Sequence, residues 1–105
     1  MEVLEAIKTR RSIRHYKPDA ISEEKLNTVL EAARWAPSWK NSQCWRFVIV
    51  KDKEKKARLA ETLGLGNPAH SAIKESPVII VAGAEIGKSG FHEGKLITDK
   101  GDWYM

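Results

Sequence analysis

Two short apolar runs limit what this chain can fold into: Trp45–Val50 (WRFVIV) and Val78–Ala84 (VIIVAGA). Both are rich in strand-forming residues without regular alternation, the pattern of strands buried on both faces. Such strands need other strands beside them and helices over both faces. A chain of 105 residues with only two such runs supplies few of those partners. The expectation is one domain over residues 1–105 that forms the first part of a larger α/β domain, or a protomer completed by another chain. A lone monomer is expected to be unstable, and a well-folded form to bury a large apolar interface.

Helical patterns surround these runs. Val3, Leu4 and Ile7 share one face of a helix predicted over residues 2–9. Arg10 to Lys17 reads as extended, with a turn at Pro18-Asp19. Ser22 is placed to cap a second helix whose first turn holds Glu23 and Glu24. Leu26, Val29, Leu30 and Ala33 then recur at helical spacing until Pro37 stops them. Residues 38–44 read as a loop. Asp52 is placed to cap a third helix to about Leu63, with Gly64 as terminator. Pro68 to Glu75 suggests a short helix. Beyond Glu85 the chain reads as a surface excursion, in which Asp102 would cap a further helix at Trp103.

An apolar content of 42% excludes a disordered chain. The longest wholly apolar run, Val78–Ala82, is far too short to cross a bilayer. The Met1-Glu2 opening lacks the apolar core of a signal peptide. The lone cysteine, Cys44, can form neither an internal disulfide nor a cysteine-rich zinc site. These features predict a cytoplasmic protein with no membrane partner. The net charge of +4 is uneven: residues 1–60 carry 14 Lys/Arg against 8 Asp/Glu, and the rest 4 against 6. A basic front half suits an anionic partner, or serves solubility alone.

The sharpest local feature is Arg10-Arg11-Ser12-Ile13-Arg14. In an extended segment Arg10, Ser12 and Arg14 project to one side, and Arg11 and Ile13 to the other. Two guanidinium forks flanking a hydroxyl suit a phosphate ester. A solvated basic turn is the alternative. The second feature is Ala-Pro-Ser-Trp-Lys-Asn-Ser-Gln-Cys-Trp-Arg-Phe, residues 36–47. Here Trp39 offers a ring for stacking or for packing, and Asn41 and Gln43 offer amide donors and acceptors. Trp45 and Phe47 read as core strand residues.

Arg-Arg-Ser-x-Arg, one amphipathic helix, then Ala-Pro-Ser-x-x-Asn-x-Gln-x-Trp-x-Phe resembles the opening of the nitroreductase-like, FMN-dependent oxidoreductase family. The similarity continues through Asn67 into Ser76–Val81. It implies an α+β fold, a nitroreductase-like sandwich with a mixed sheet flanked by helices, incomplete in this chain. It also implies a homodimer holding FMN in two interface clefts. NAD(P)H would reduce the flavin, and a small electron acceptor such as a nitroaromatic or quinone would reoxidise it. By position, Arg10 and Ser12 would bind the FMN phosphate with Arg11 beside them, and Arg14 would approach the ring's N1–C2=O edge. Pro37, Ser38, Trp39 and Asn41 would line the cleft from the partner subunit. Asn67 would reach the pyrimidine edge. His70 would be a second donor there, or simply a surface helix residue. The flavin carries the redox chemistry, so no side chain is assigned a catalytic role.

Two departures from the family pattern stand out. Trp39 replaces a small residue, and Cys44 replaces a proline. The family's long dimer-core helix, its loop over the flavin and its remaining strands are absent from the 105 residues. Two other readings compete: an anion- or nucleic-acid-binding module, or a family member that has lost its flavin and serves as an interaction partner. Against nucleic acid, the aromatics do not interleave with the basic cluster and no nucleic-acid-binding signature is present.

Overall fold

The computed structural model describes residues 1–104. Helix α1 (Val3–Thr9) carries Glu5 in its first turn and Lys8 in its last, each where the helix dipole favours it. Helix α2 (Glu23–Arg34) starts at Ser22, whose hydroxyl accepts from the Lys25 N–H at 3.3 Å. Such a cap contributes about 1 kcal/mol. Along α2, Leu26 is buried and Leu30 and Ala33 are half-buried, while Val29 stays exposed.

Strand β1 (Trp45–Val50) follows a single 3₁₀ turn at Trp39–Asn41, which the sequence reads only as loop. Helix α3 (Lys53–Glu61) is capped as expected, the Asp52 carboxylate accepting from the Lys55 N–H at 2.8 Å. Gly64 does not terminate it. The helix ends at Glu61, the Thr62 hydroxyl donates to the Leu59 carbonyl at 2.6 Å, and Gly64 is not left-handed. Helix α4 (Ala69–Glu75) matches the short helix expected there.

Strand β2 (Ile79–Ala84) pairs antiparallel with β1, Trp45 facing Ala84 and Val50 facing Ile79. Burial of both strand faces, expected above, does not hold. Trp45, Phe47 and Ile49 are half-buried, whereas Arg46 and Val48 are exposed, Val48 to 58%. Trp45, Phe47 and Ile49 share a groove of about 550 Å³ with Leu30 and Arg34 of α2. Nothing comparable covers Val48 and Val81 among the described residues.

The segment after β2 holds a hairpin that the sequence reading misses. Strands β3 (Phe91–His92) and β4 (Lys95–Leu96) pair across a Glu93-Gly94 turn with φ of 49° and 75°. Asp102 lies inside a 3₁₀ turn, Gly101–Tyr104, and caps no helix at Trp103. Its carboxylate accepts from the Gly87 N–H at 2.6 Å, tying down the loop before the hairpin. The α+β class expected from the sequence is the class observed. Both sheets are antiparallel pairs, so the parallel pairing of a mixed sheet does not occur among the described residues.

The chain divides into two compact units. The first combines Met1–Asp19 with Lys51–Pro77 and so contains α1, α3 and α4. There α3 packs on α4, with Ala60 and Ala72 buried, and the Lys56 ammonium donates to the Ser76 carbonyl at 2.7 Å. The second combines Ala20–Val50 with the chain from Val78 onward and contains α2 and both sheets. Its buried apolar residues are Leu26, Cys44 and Val50. No helix among the described residues is long and apolar enough to cross a membrane.

Candidate functional site

In the first unit, α1 stops at Thr9 because Arg10 leaves the helix with ψ of 146°. The following strap, residues 10–17, is exposed throughout. Arg11 folds back, its guanidinium donating to the carbonyls of Arg10 at 2.8 Å and Lys8 at 3.2 Å. His15 lies 3.7 Å from the Glu75 carboxylate at the end of α4. The Tyr16 hydroxyl donates to the Ile13 carbonyl at 3.1 Å.

These anchors engage only part of the strap, Tyr16 holding to the strap's own backbone. The side chains of Arg11 and His15 take partners within the protein. Those of Arg10, Ser12 and Arg14 make no hydrogen bond or ion pair among the described residues. Two unpaired guanidiniums and a hydroxyl on alternate residues form a donor set with net positive charge and no internal acceptor.

Asn67 and His70 come together at the start of α4. The Asn67 side-chain oxygen accepts from the Ala69 N–H at 2.9 Å, and its carbonyl accepts from the His70 N–H at 3.0 Å. This spends the side-chain oxygen of Asn67 and leaves its NH₂ group as a donor. His70 is half-buried on the first turn.

In the second unit, Pro37, Ser38 and Trp39 line a groove of about 600 Å³ with Cys44, Trp45 and the β2 segment Ala82–Ala84. That volume suits a small planar ligand. Ser38 organises the loop: its carbonyl accepts from the Asn41 N–H and its hydroxyl from the Gln43 N–H, both at 3.0 Å. Asn41 does not line the groove. Its side-chain oxygen accepts from the Gln43 amide at 3.2 Å and so braces the loop.

Lys40, Asn41 and Gln43 are all left-handed, with φ of 47°, 52° and 49°. For residues other than glycine this costs about 1 kcal/mol or more each, and such strain clusters at ligand-holding loops. The Lys40 ammonium lies 5.2 Å from the Trp39 ring centre. The indole N–H of Trp45 and the hydroxyl of Ser42 are buried without a hydrogen-bond partner among the described residues.

The sequence reading missed the groove's other wall. Its only trace is three small residues, Ala82-Gly83-Ala84, in a strand otherwise built from larger ones. In register they face Phe47, Arg46 and Trp45. Small side chains there leave the indole of Trp45 open to the groove.

The nitroreductase family model matches residues 7–76. An NADH dehydrogenase of Thermus thermophilus is 41% identical over 88 residues, 84% of this chain and 41% of that protein. A nitroreductase family protein from Clostridium novyi NT superposes with a TM-score of 0.79 at 37% identity, covering 92% of this chain and 55% of that one. An FMN-dependent nitroreductase from Clostridium difficile R20291 does so with a TM-score of 0.68 at 39% identity, covering 76% and 45%. The chain spans about half or less of the length of the curated relatives it matches, 40%, 49% and 41% for three of them.

Proposed function

The chain belongs to the nitroreductase family, and from that premise we propose that it is part of an FMN-dependent oxidoreductase. The proposed reaction carries electrons from NAD(P)H through bound FMN to a nitroaromatic, a quinone or a similar small acceptor. The family match crosses both compact units, which supports reading residues 1–105 as one nitroreductase-like domain. A free, buried thiol at Cys44 suits the reducing cytoplasm.

The residues fit such a cofactor. Arg10 and Ser12 lack internal partners among the described residues and offer charge-assisted donors to a phosphate. Arg11, already bound to two carbonyls, adds charge beside them. Arg14 is assigned to the N1–C2=O edge of the ring, where a fixed positive charge favours an anionic reduced ring. The free NH₂ group of Asn67 is assigned to the pyrimidine edge, with His70 as a second donor. Pro37, Ser38 and Trp39 supply a flat apolar wall, which we assign to the cleft of a second copy, and Asn41 holds that wall's loop. FMN supplies reversible two-electron chemistry when bound, while these side chains bind, orient and exclude water.

The observation that carries the reading is that Arg10, Ser12 and Arg14 have no internal partners among the described residues, while Arg11, His15 and Tyr16 of the same strap do. Its test compares FMN with riboflavin, which lacks the phosphate, by equilibrium titration. The expectation is that Arg10→Ala weakens FMN roughly ten- to a hundredfold, the loss of one charge-assisted pair, and leaves riboflavin nearly unchanged. Equal weakening of the two ligands returns Arg10 to a general basic patch.

A further inference from the structure

We infer that Arg46 and Glu85 are positioning residues whose ion pair fixes the 38–44 loop against the end of β2. The pair thereby sets the opening of the groove beside Trp39, although neither residue lines it.

The loop needs such a tie. Its left-handed residues Lys40, Asn41 and Gln43 are strained, and strained backbone persists only where its surroundings hold it. Several of its hydrogen bonds close on itself: from Asn41 to Ser38, from Ser42 to Trp39, and from Gln43 to the Ser38 hydroxyl. These shape the loop without fastening it elsewhere. Other bonds leave it. The Cys44 carbonyl accepts from the Glu85 N–H at 2.7 Å, and the Gln43 carbonyl accepts from the Arg46 guanidinium at 3.2 Å. That guanidinium also donates to the Trp45 carbonyl at 2.8 Å and, with its other terminal nitrogen, to the Glu85 carboxylate. One planar fork thus joins the loop's end, the start of β1 and the residue after β2. Glu85 follows directly on Ala82–Ala84, the groove's other wall. Both side chains are partly exposed, so charge attraction alone contributes little. The bridge depends on the fork, which Arg46→Lys removes while keeping the charge. Lys88 pairs with Glu85 at 3.3 Å, a contact local to the segment after β2.

The inference rests on the flavin reading above only for what fills the groove, and the latch itself is read without flavin. Hydrogen exchange on the flavin-free, full-length protein is the first test. Glu85→Gln and Arg46→Lys are each expected to speed exchange of the Asn41, Ser42 and Gln43 amides roughly three- to tenfold. The ladder amides of β1 and β2 should keep their rates, and Lys88→Gln should change none of these. Unaltered loop amides overturn the latch. Ladder amides that speed up together with the loop reduce the pair to a strand-end staple, which overturns it too. Equilibrium titration then reads the consequence. Both variants should weaken FMN and riboflavin by one common factor, roughly three- to tenfold, because neither alters a group assigned to the phosphate. A loosened loop with unchanged flavin affinity overturns the positioning role. If the unaltered protein binds neither flavin, the flavin reading falls, and the exchange result alone decides the latch.

Discussion

Glu31 accepts three hydrogen bonds within its own stretch of helix: from the Arg34 guanidinium at 2.9 and 2.8 Å, and from the Trp35 indole at 2.8 Å. The Arg34 hydrogen bonds and then that of Trp35 hold its pKa down at about 2, against an ordinary 4.5. A depressed carboxylate contributes stability above its unfolded pKa and loses it as pH falls through the folded one. The difference in unfolding midpoint between the unaltered protein and Glu31→Gln should therefore be constant above about 4.5 and vanish towards about 2. Denaturant curves across that window check it, and a difference that persists at the acid end contradicts it. In the candidate site, Arg10, Ser12 and Trp39 could be proposed from the sequence because their chemistry is strong and their spacing local, whereas Asn67 entered only through the family resemblance. The bracing role of Asn41 was not legible, because it depends on left-handed backbone at Asn41 itself and at Lys40 and Gln43, none of them glycine. The Trp45 indole was not either, because its exposure to the groove is set by small residues on a strand far away in sequence.

Lys56 illustrates how an element is held. Its ammonium is buried and donates to the carbonyl of Ser76, the residue that caps α4. The C-terminal end of a helix carries partial negative charge, so a cation there is favourable. Lys56→Met keeps most of the packed stem but leaves that carbonyl unpaired. The expected cost is about 1–3 kcal/mol, read as a lower urea midpoint. A change below about 0.5 kcal/mol, the range of ordinary surface substitutions, would mean water replaces the ammonium. Among the elements, α2 and α3 were legible because Ser22 and Asp52 announce their starts. Strands β1 and β2 were legible as strands, but short apolar-rich runs without alternation say nothing about which face is covered. The β3–β4 hairpin stayed hidden because two-residue strands carry no period. Its one signal was the glycine after Glu93, since a two-residue turn of this kind needs positive φ at both positions.

At the scale of the molecule, the exposed apolar side chains gather meaning together. Val3, Leu4 and Ile7 on α1, and Val48 and Val81 on the sheet, lie open in a single chain, all but Val81 more than half exposed. We propose that a second copy is required for the working enzyme, as the family resemblance implies. Light scattering on the full-length protein should give twice the chain mass with or without FMN, and a monomer that binds FMN would count against the dimer. The two units also interleave along the chain, the first being completed only by Lys51–Pro77 and the second only by residues from Val78 onward. That order matters during synthesis. As the chain leaves the ribosome, the basic strap emerges early, yet Glu75, which pairs with His15, emerges much later. Strand β1 likewise waits, with an unpaired edge, for β2. Closure of such long loops comes late in folding. The nascent protein therefore passes through a window in which its cationic strap and a bare strand edge are both presented to the cell, and chaperones have most to guard there.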